Sequence, residues 1–300
     1  MALIASSFLP QFATSNIATA EKTKYQSPLP ATFIPSKQDQ SANYLKVKEL
    51  EEEFGFQYSS AIGMLIFLIN TTSVLQYAIH KLAKFTALPG RLHFKALIHL
   101  LHHIRTHCTE MGIRFYSPDE QPAIHRLVHS VEPTFDFTMN PVIVFTDSSW
   151  QDCPDTSRST GCYLIYLFGS LVDAASFVPN PIALSSAEAE YNACAFALTA
   201  ALHVKQVYNK MNKLHPDAPL TIPMFVDSSS AIAMMNNDKD TKRTRHIQRR
   251  IHFVRQARIQ GILKPYKIDG KINPSDVGTK NLPSCELVTH RTNLHVQVAV

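Results

Sequence analysis

The sequence predicts an α/β fold: a mixed five-stranded sheet of three antiparallel strands plus α/β crossovers, flanked by helices and preceded by a smaller helical region. Three observations predict it. Five short apolar runs between Val142 and Ile268, each bounded by Gly, Pro, Asn, Asp or Ser, have strand length and strand composition. The first three follow one another closely, as hairpin-connected strands do, whereas the last two are reached through stretches of helical periodicity. Upstream, from Tyr44 to Tyr116, the pattern is helical, with apolar residues repeating at three- and four-residue spacing.

Residues 1–40 are rich in Ser, Thr, Pro and Gln without sustained periodicity and read as an irregular arm. Residues 41–116 carry the helical pattern in "VKELEEEFGFQYSSAIGMLIFLI", "SVLQYAIHKLAKF" and "RLHFKALIHLLHHIRTHC", with "ALPGR" as a break. The stretch 59–79 has the length of a membrane span, but Asn70, Thr71, Thr72, Ser73 and Gln76 interrupt it, so it reads as two buried helical segments. Residues 117–140 are polar and contain proline, as a linker would. The domain at 141–284 begins with strands "VIVFTD", "CYLIYLF" and "LVDAASF", the last two joined at Gly169-Ser170. Next come a long helix over 185–211, strand "TIPMFVD" and a short helix over 229–237. A basic helix over 243–260, strand "ILKPYKI" and a short helix within 273–282 complete it. Pro265 lacks a donor and pushes the fifth strand to an edge. Residues 285–300 form a C-terminal tail.

The chain has 300 residues, 45% hydrophobic and 18% charged, with a formal charge of +5, which suits a globular protein able to bury a core. Five cysteines at irregular spacing, with no CxxC, argue for a reduced intracellular protein and against a disulfide framework. The first twenty residues carry no charge, unlike a secretory signal. His99, His103 and His107 share one helical face before Cys108, a pattern that zinc could use, but no further ligand set accompanies it.

Four acidic residues bear the chemical reading. Ser185 and Glu188 form a capping box at the start of the long helix, so Glu188 has a local task. Glu190 lies about 200° around the helix from Glu188. It shares a helix with Ala193, Ala197 and Ala200, small residues that admit a close sheet, and a glutamate there needs a partner or a metal. Asp147 and Asp227 end the first and fourth strands; if these are parallel neighbours, both carboxylates leave the same sheet edge. Asp276 is the fourth. Taken singly, each strand-end Asp is also an ordinary cap or turn residue. Together, the carboxylates repel unless divalent cations sit among them, and hard oxygen donors suit Mg²⁺ or Mn²⁺.

"IALSSAEAEYNACAFAL" resembles the "LSSAEAEY" signature of ribonuclease H domains in copia-type LTR retrotransposon polyproteins. "FTDSSW", "RSTGCYLIYLFGSLVDAASFVPNPIALSS", "FVDSSSAIAMMNN", "TRHIQRRIHFVRQ" and "NPSDVGTKNLP" follow the same pattern in order, over Val142 to Pro283. Upstream, "YSSAIGMLIFLINTTSVLQYAIHKLAKF" and "PGRLHFKALIHLLHHI" look like the helical end of the preceding reverse transcriptase region. The resemblance implies a ribonuclease H-like sheet and places metal-binding catalytic carboxylates at Asp147, Glu190, Asp227 and Asp276. It implies two Mg²⁺ ions and hydrolysis of the RNA strand of an RNA–DNA hybrid, with other parts of a polyprotein as possible partners and no membrane. A truncated fragment is expected, because the polymerase motif with paired aspartates is absent. The loop "KIDGKINPSD" lacks the histidine that cellular ribonucleases H carry there. Gly278 should weaken the last helix by about 1 kcal/mol relative to alanine, in line with an alternative reading as a catalytically inactive, nucleic-acid-binding relic.

Residues 239–267 hold ten Lys or Arg against one acid. Ile247, Ile251 and Val254 form the core stripe of the basic helix, with Arg245, Arg249, His252 and Gln256 opposite. Lys242, Arg245, His246, Arg249 and Arg250 are the residues expected to meet a phosphate backbone, an arrangement also compatible with a solvated helix face. His246 reads equally as a strand-positioning or a local packing residue.

Overall fold

A computed structural model describes residues 24–31, 33–108, 111–117, 120–180, 182–215, 218–237, 246–294 and 296–297. The chain forms two compact units: residues up to Ile113 with 153–156 and 280 onward, and residues 114–152 with 157–279.

The first unit is helical: α1 (Tyr44–Phe54), α2 (Tyr58–Ile69), α3 (Gln76–Ala83) and α4 (Arg91–His103). The apolar stretch 59–79 divides as its polar residues predict, α2 ending before Asn70 and α3 starting at Gln76. Among the described residues no helix is long and apolar enough to cross a membrane. Phe94 anchors the unit, ringed by Phe54, Phe56 and Tyr58, whose hydroxyl donates to Leu82 O at 3.0 Å. The stretch after 284 is not a loose tail: Ser284–Leu294 is helical and buries Leu287, His290 and Leu294, a three- and four-residue spacing.

The second unit begins earlier than the sequence boundary at 141. The polar segment 117–140 contains α5 (Ala123–Val131), which buries Ile124, His125 and Val128 on one face. The sheet follows: β1 (Val142–Ser149), β2 (Thr160–Leu167), β3 (Ser170–Phe177), β4 (Ile222–Val226) and β5 (Leu263–Lys267), in the order β3-β2-β1-β4-β5. β1–β2 and β2–β3 are antiparallel, whereas β1–β4 and β4–β5 are parallel, and β5 with Pro265 lies at the edge. The predicted sheet is therefore the observed one. The β2–β3 hairpin turns at Phe168 and Gly169, both at positive φ, one residue earlier than its glycine alone indicates.

Helices α6 (Ser186–Met211), α7 (Ser229–Asn236) and α8 (Gln248–Ile259) share an apolar core with Val142, Val144, Ile165, Met224 and Val226. Alternation along the strands turns Phe145 and Phe225 the other way. There they stack at 4.8 Å, and Phe225 stacks on Tyr266 at 5.2 Å. Both faces of β1 are thus covered, which explains why its residues are buried from Val142 through Ser148.

The segment Pro274–Gly278 is a 3-10 turn rather than an α-helix, and Gly278 is not a weak point in it. A Cβ at Gly278 would stand 2.2 Å from Cys162 Sγ and 2.8 Å from Cys162 Cβ, so the turn seats against β2 only because the side chain is missing. The expected loss of helix stability is replaced by a packing requirement. Gly278→Ala should lower the unfolding free energy by roughly 1–3 kcal/mol, as overpacking does. Helix propensity alone predicts a gain, so urea unfolding of the two proteins decides the sign.

Candidate metal centre

The parallel register sets the site. Thr146 pairs with Val226, so Asp147 and Asp227 stand one step further along adjacent strands. β1 runs on through Ser149, with Asp147 opposite Cys162, whereas Asp227 lies just past the end of β4. Asp147 shares its face with Phe145 and Asp227 with Phe225, away from the layer of α6 to α8.

Asp276 arrives on that same side from the 3-10 turn. Asn273, wholly buried, donates its Nδ2 to Thr146 O at 3.1 Å and accepts from Ser275 N and Ser275 Oγ at 3.3 and 2.6 Å. Ser176 Oγ donates to Gly278 O at 2.7 Å on the other side of the turn. Carboxylate oxygens of Asp147, Asp227 and Asp276 consequently lie within 4.8 Å of one another. Asp147 and Asp276 are buried and Asp227 is half-buried, the most exposed of the three.

Glu190 is not among those three oxygens. It comes from the helix layer, near the start of α6, and its Oε1 accepts from the backbone N–H of Ser148 at 3.3 Å. It is 8% exposed and bonded to the residue next to Asp147, so it borders the cluster from the opposite face. Two buried thiols register the shared field. Burial first, then Asp147 and Asp276, hold the Cys162 thiol well above its ordinary pKa. Burial and then Glu190, Asp227 and Asp147 do the same to Cys194.

Three carboxylates this close are costly without a cation, and they provide oxygen donors only, with no thiolate or imidazole in the set. That chemistry fits a hard divalent ion such as Mg²⁺ or Mn²⁺. The serines after each strand Asp differ in role. Ser228 caps α7 by accepting from Ala231 N at 3.1 Å, whereas Ser148 and Ser149 continue the strand.

The basic residues divide. Lys242 and Arg245 lie outside the described residues. His246 Nε2 is 2.9 Å from Glu188 Oε1, so it is engaged in a local contact. Glu188 Oε2 in turn accepts from Leu184 N at 3.1 Å, one residue earlier than a capping box requires. Arg250 donates to Asn192 Oδ1 at 2.8 Å and to Asn180 O. Arg249, His252 and Gln256 are exposed on one face of α8, as the pattern predicts, with Ile247, Ile251 and Val254 buried. Arg255, by contrast, is buried and donates to Met234 O at 3.2 Å.

Two histidines of the row over 99–107 are engaged by main-chain carbonyls. His99 Nε2 meets Ser27 O at 3.0 Å and His103 Nδ1 meets Tyr25 O at 2.7 Å. Among the described residues the Asp147–Asp227–Asp276 group is the one close cluster of potential metal ligands.

No protein-family model matches the chain. Over 228 residues, 75% of this chain and 15% of the other, it is 27% identical to the retrovirus-related Pol polyprotein from transposon TNT 1-94 of Nicotiana tabacum. Over 226 residues it is 22% identical to the corresponding polyprotein from transposon RE1 of Arabidopsis thaliana, again covering 75% of this chain and 14% of the relative. The chain thus spans about a seventh of the length of these curated relatives. Among solved structures, LC11-RNase H1, isolated from compost, aligns with a TM-score of 0.35 at 16% identity, covering 47% of this chain and 93% of the other. The same enzyme in complex with RNA/DNA hybrid aligns with a TM-score of 0.32 at 15% identity, covering 44% and 88%. The retrotransposon-polyprotein resemblance read from the motifs thus extends over three-quarters of the chain.

Burial lowers the pKa of His103 to about 3. Its folded value lies below an unfolded value near 6.5, so its contribution to stability is complete above that pH and is lost as pH falls toward 3. The loss approaches ~1.4 kcal/mol per pH unit for one such group. Acid unfolding of the parent and of His103→Gln should show a shallower pH dependence in the variant, by about one proton.

Proposed function

We propose that this chain, similar over most of its length to the Pol polyproteins of plant transposons, carries a ribonuclease H-type hydrolase in its second unit. Its substrate is the RNA strand of an RNA–DNA hybrid, and its cofactors are two Mg²⁺ ions, with Mn²⁺ as a substitute. The observation that carries this reading is the convergence of Asp147, Asp227 and Asp276 within 4.8 Å, with Glu190 bonded to the amide beside Asp147. The ordered motifs from "FTDSSW" to "NPSDVGTK" supply the same four residues.

In this reading Asp147, Asp227 and Asp276 hold the cations and Glu190 completes the set from the helix side. Divalent ions bound there would supply charge stabilisation to a phosphodiester and would make a water molecule more acidic. The half-buried position of Asp227 keeps the cluster accessible to a duplex edge. Specificity for a hybrid would come from duplex shape and from the 2′-hydroxyls of the RNA strand. Arg249, exposed on α8, is the described residue of the predicted set left free of such contacts to meet backbone phosphate, while His246 and Arg250 steady the start of α8 against Glu188, Asn192 and Asn180. The parts of a longer polyprotein are further proposed partners.

The parent chain with Mg²⁺ should cleave the RNA of a labelled hybrid, and Asp147→Asn and Asp227→Asn should each reduce cleavage by roughly 100-fold, the upper end of what losing even an outer-shell partner of a metal site costs. A parent that binds hybrid yet leaves it intact would favour the inactive relic instead. Arg249→Ala should weaken hybrid binding and flatten its salt dependence by about one unit of log–log slope. A binding isotherm series from low to moderate salt checks this.

A further inference from the structure

The turn that delivers Asp276 ends on a residue that touches Asp147. Thr279 is fully buried, and its Oγ1 donates a hydrogen bond to Asp147 Oδ2. The same oxygen lies 3.3 Å from Asp276 O, and the Thr279 backbone N–H donates to that carbonyl at 3.1 Å. One residue thus contacts the Asp147 carboxylate through its hydroxyl and the main-chain carbonyl of Asp276 through both its hydroxyl and its backbone N–H.

We propose that Thr279 is a positioning residue of the cation site: its hydroxyl fixes the orientation of the Asp147 carboxylate relative to Asp276, so that both can serve one ion. The inference rests on the metal-centre reading above and adds a residue to it.

Three contacts fasten this turn, and they differ in what they hold. Asn273 to Thr146 O and Ser176 to Gly278 O secure backbone carbonyls. Of the three, the Thr279 hydroxyl is the contact made to a carboxylate of the cluster. Asp147 sits on β1, paired with Cys162 of β2 and one residue past the last pair with β4. The freedom left to its carboxylate is side-chain rotation, and a donor on one oxygen restrains that rotation. A hydroxyl also suits the task chemically. It is neutral, so it orients the carboxylate without competing with a cation for its charge, as lysine or arginine would. Partners of this kind orient ligands and typically change metal affinity 10–100-fold when lost.

The test is a Mn²⁺ titration of the full chain by electron paramagnetic resonance, in the parent, Thr279→Val, Thr279→Ser, Ser176→Ala and Asp227→Asn, with the metal-free thermal midpoint measured for each. Thr279→Val, close in shape but without the donor, should weaken Mn²⁺ binding about 10–100-fold. Thr279→Ser should restore affinity to within a few-fold of the parent, even if its thermal midpoint falls. Ser176→Ala should lower the midpoint with a much smaller effect on Mn²⁺. Unchanged affinity in Thr279→Val overturns the proposal while leaving the centre intact. Equal weakening in the serine and valine variants, or in Ser176→Ala, also overturns it, because the turn's packing rather than the hydroxyl would then be responsible. A parent that binds no Mn²⁺, or an Asp227→Asn variant that binds it as tightly as the parent, removes the centre itself and the proposal with it.

Discussion

The parallel pairing of β1 with β4 is the constraint on which the second unit depends. It brings together two strands separated by some eighty residues and a long helix, and its register sets Asp147 beside Asp227. A slip of one residue would turn either carboxylate to the other face of the sheet. Apolar packing prevents that slip. Val144 and Met224 enter the core beneath α6, while Phe145 and Phe225 stack on the opposite face. Burial on both sides of the strands thus specifies the register, and the register determines where the charges meet.

Negative charge held this close has to be accommodated by the surrounding structure. Short polar side chains do so without adding net charge. Asn273 ties the turn of Asp276 to the backbone of β1, and Thr279 reaches the carboxylate of Asp147. The N–H of Ser148 donates to Glu190 from the helix layer. The adjacent thiols of Cys162 and Cys194 are kept neutral by burial and by the carboxylates themselves, so they add no further charge. Close seating of the turn against Cys162 requires a residue without a side chain at position 278. A residue that reads as a local weakness is therefore part of how the carboxylates are brought together.

The basic helix shows the same principle in another form. Its high count of arginines reads as one surface, yet the fold divides them. Arg255 turns inward to Met234 O and Arg250 reaches Asn192 and Asn180, whereas Arg249 stays exposed. His246 is drawn to Glu188, which the sequence assigns to a capping box and which bonds Leu184 N instead of the N-cap amide. Charge counted along a chain overstates the charge presented to a partner whenever internal carbonyls and carboxylates lie within reach of the side chains.

The sequence by itself determined the sheet, its mixed pairing and the position of Pro265 on an edge strand, and it singled out the three aspartates that lie together. Those features follow from period, run length and residue type, which are local properties. It did not reveal α5 within the polar segment 117–140 or the helix over Ser284–Leu294, because their few apolar residues gain meaning only from the surfaces they cover. Tertiary structure alone decided that Asp147, Asp227 and Asp276 close to 4.8 Å while Glu190 borders them from the helix layer. It also decided that Thr279 joins them, and that Gly278 is a fitted contact. The physical reason is the same in each case. Strand alternation, register and close approach between distant segments set these distances, and none of the three is a property of any short stretch of chain.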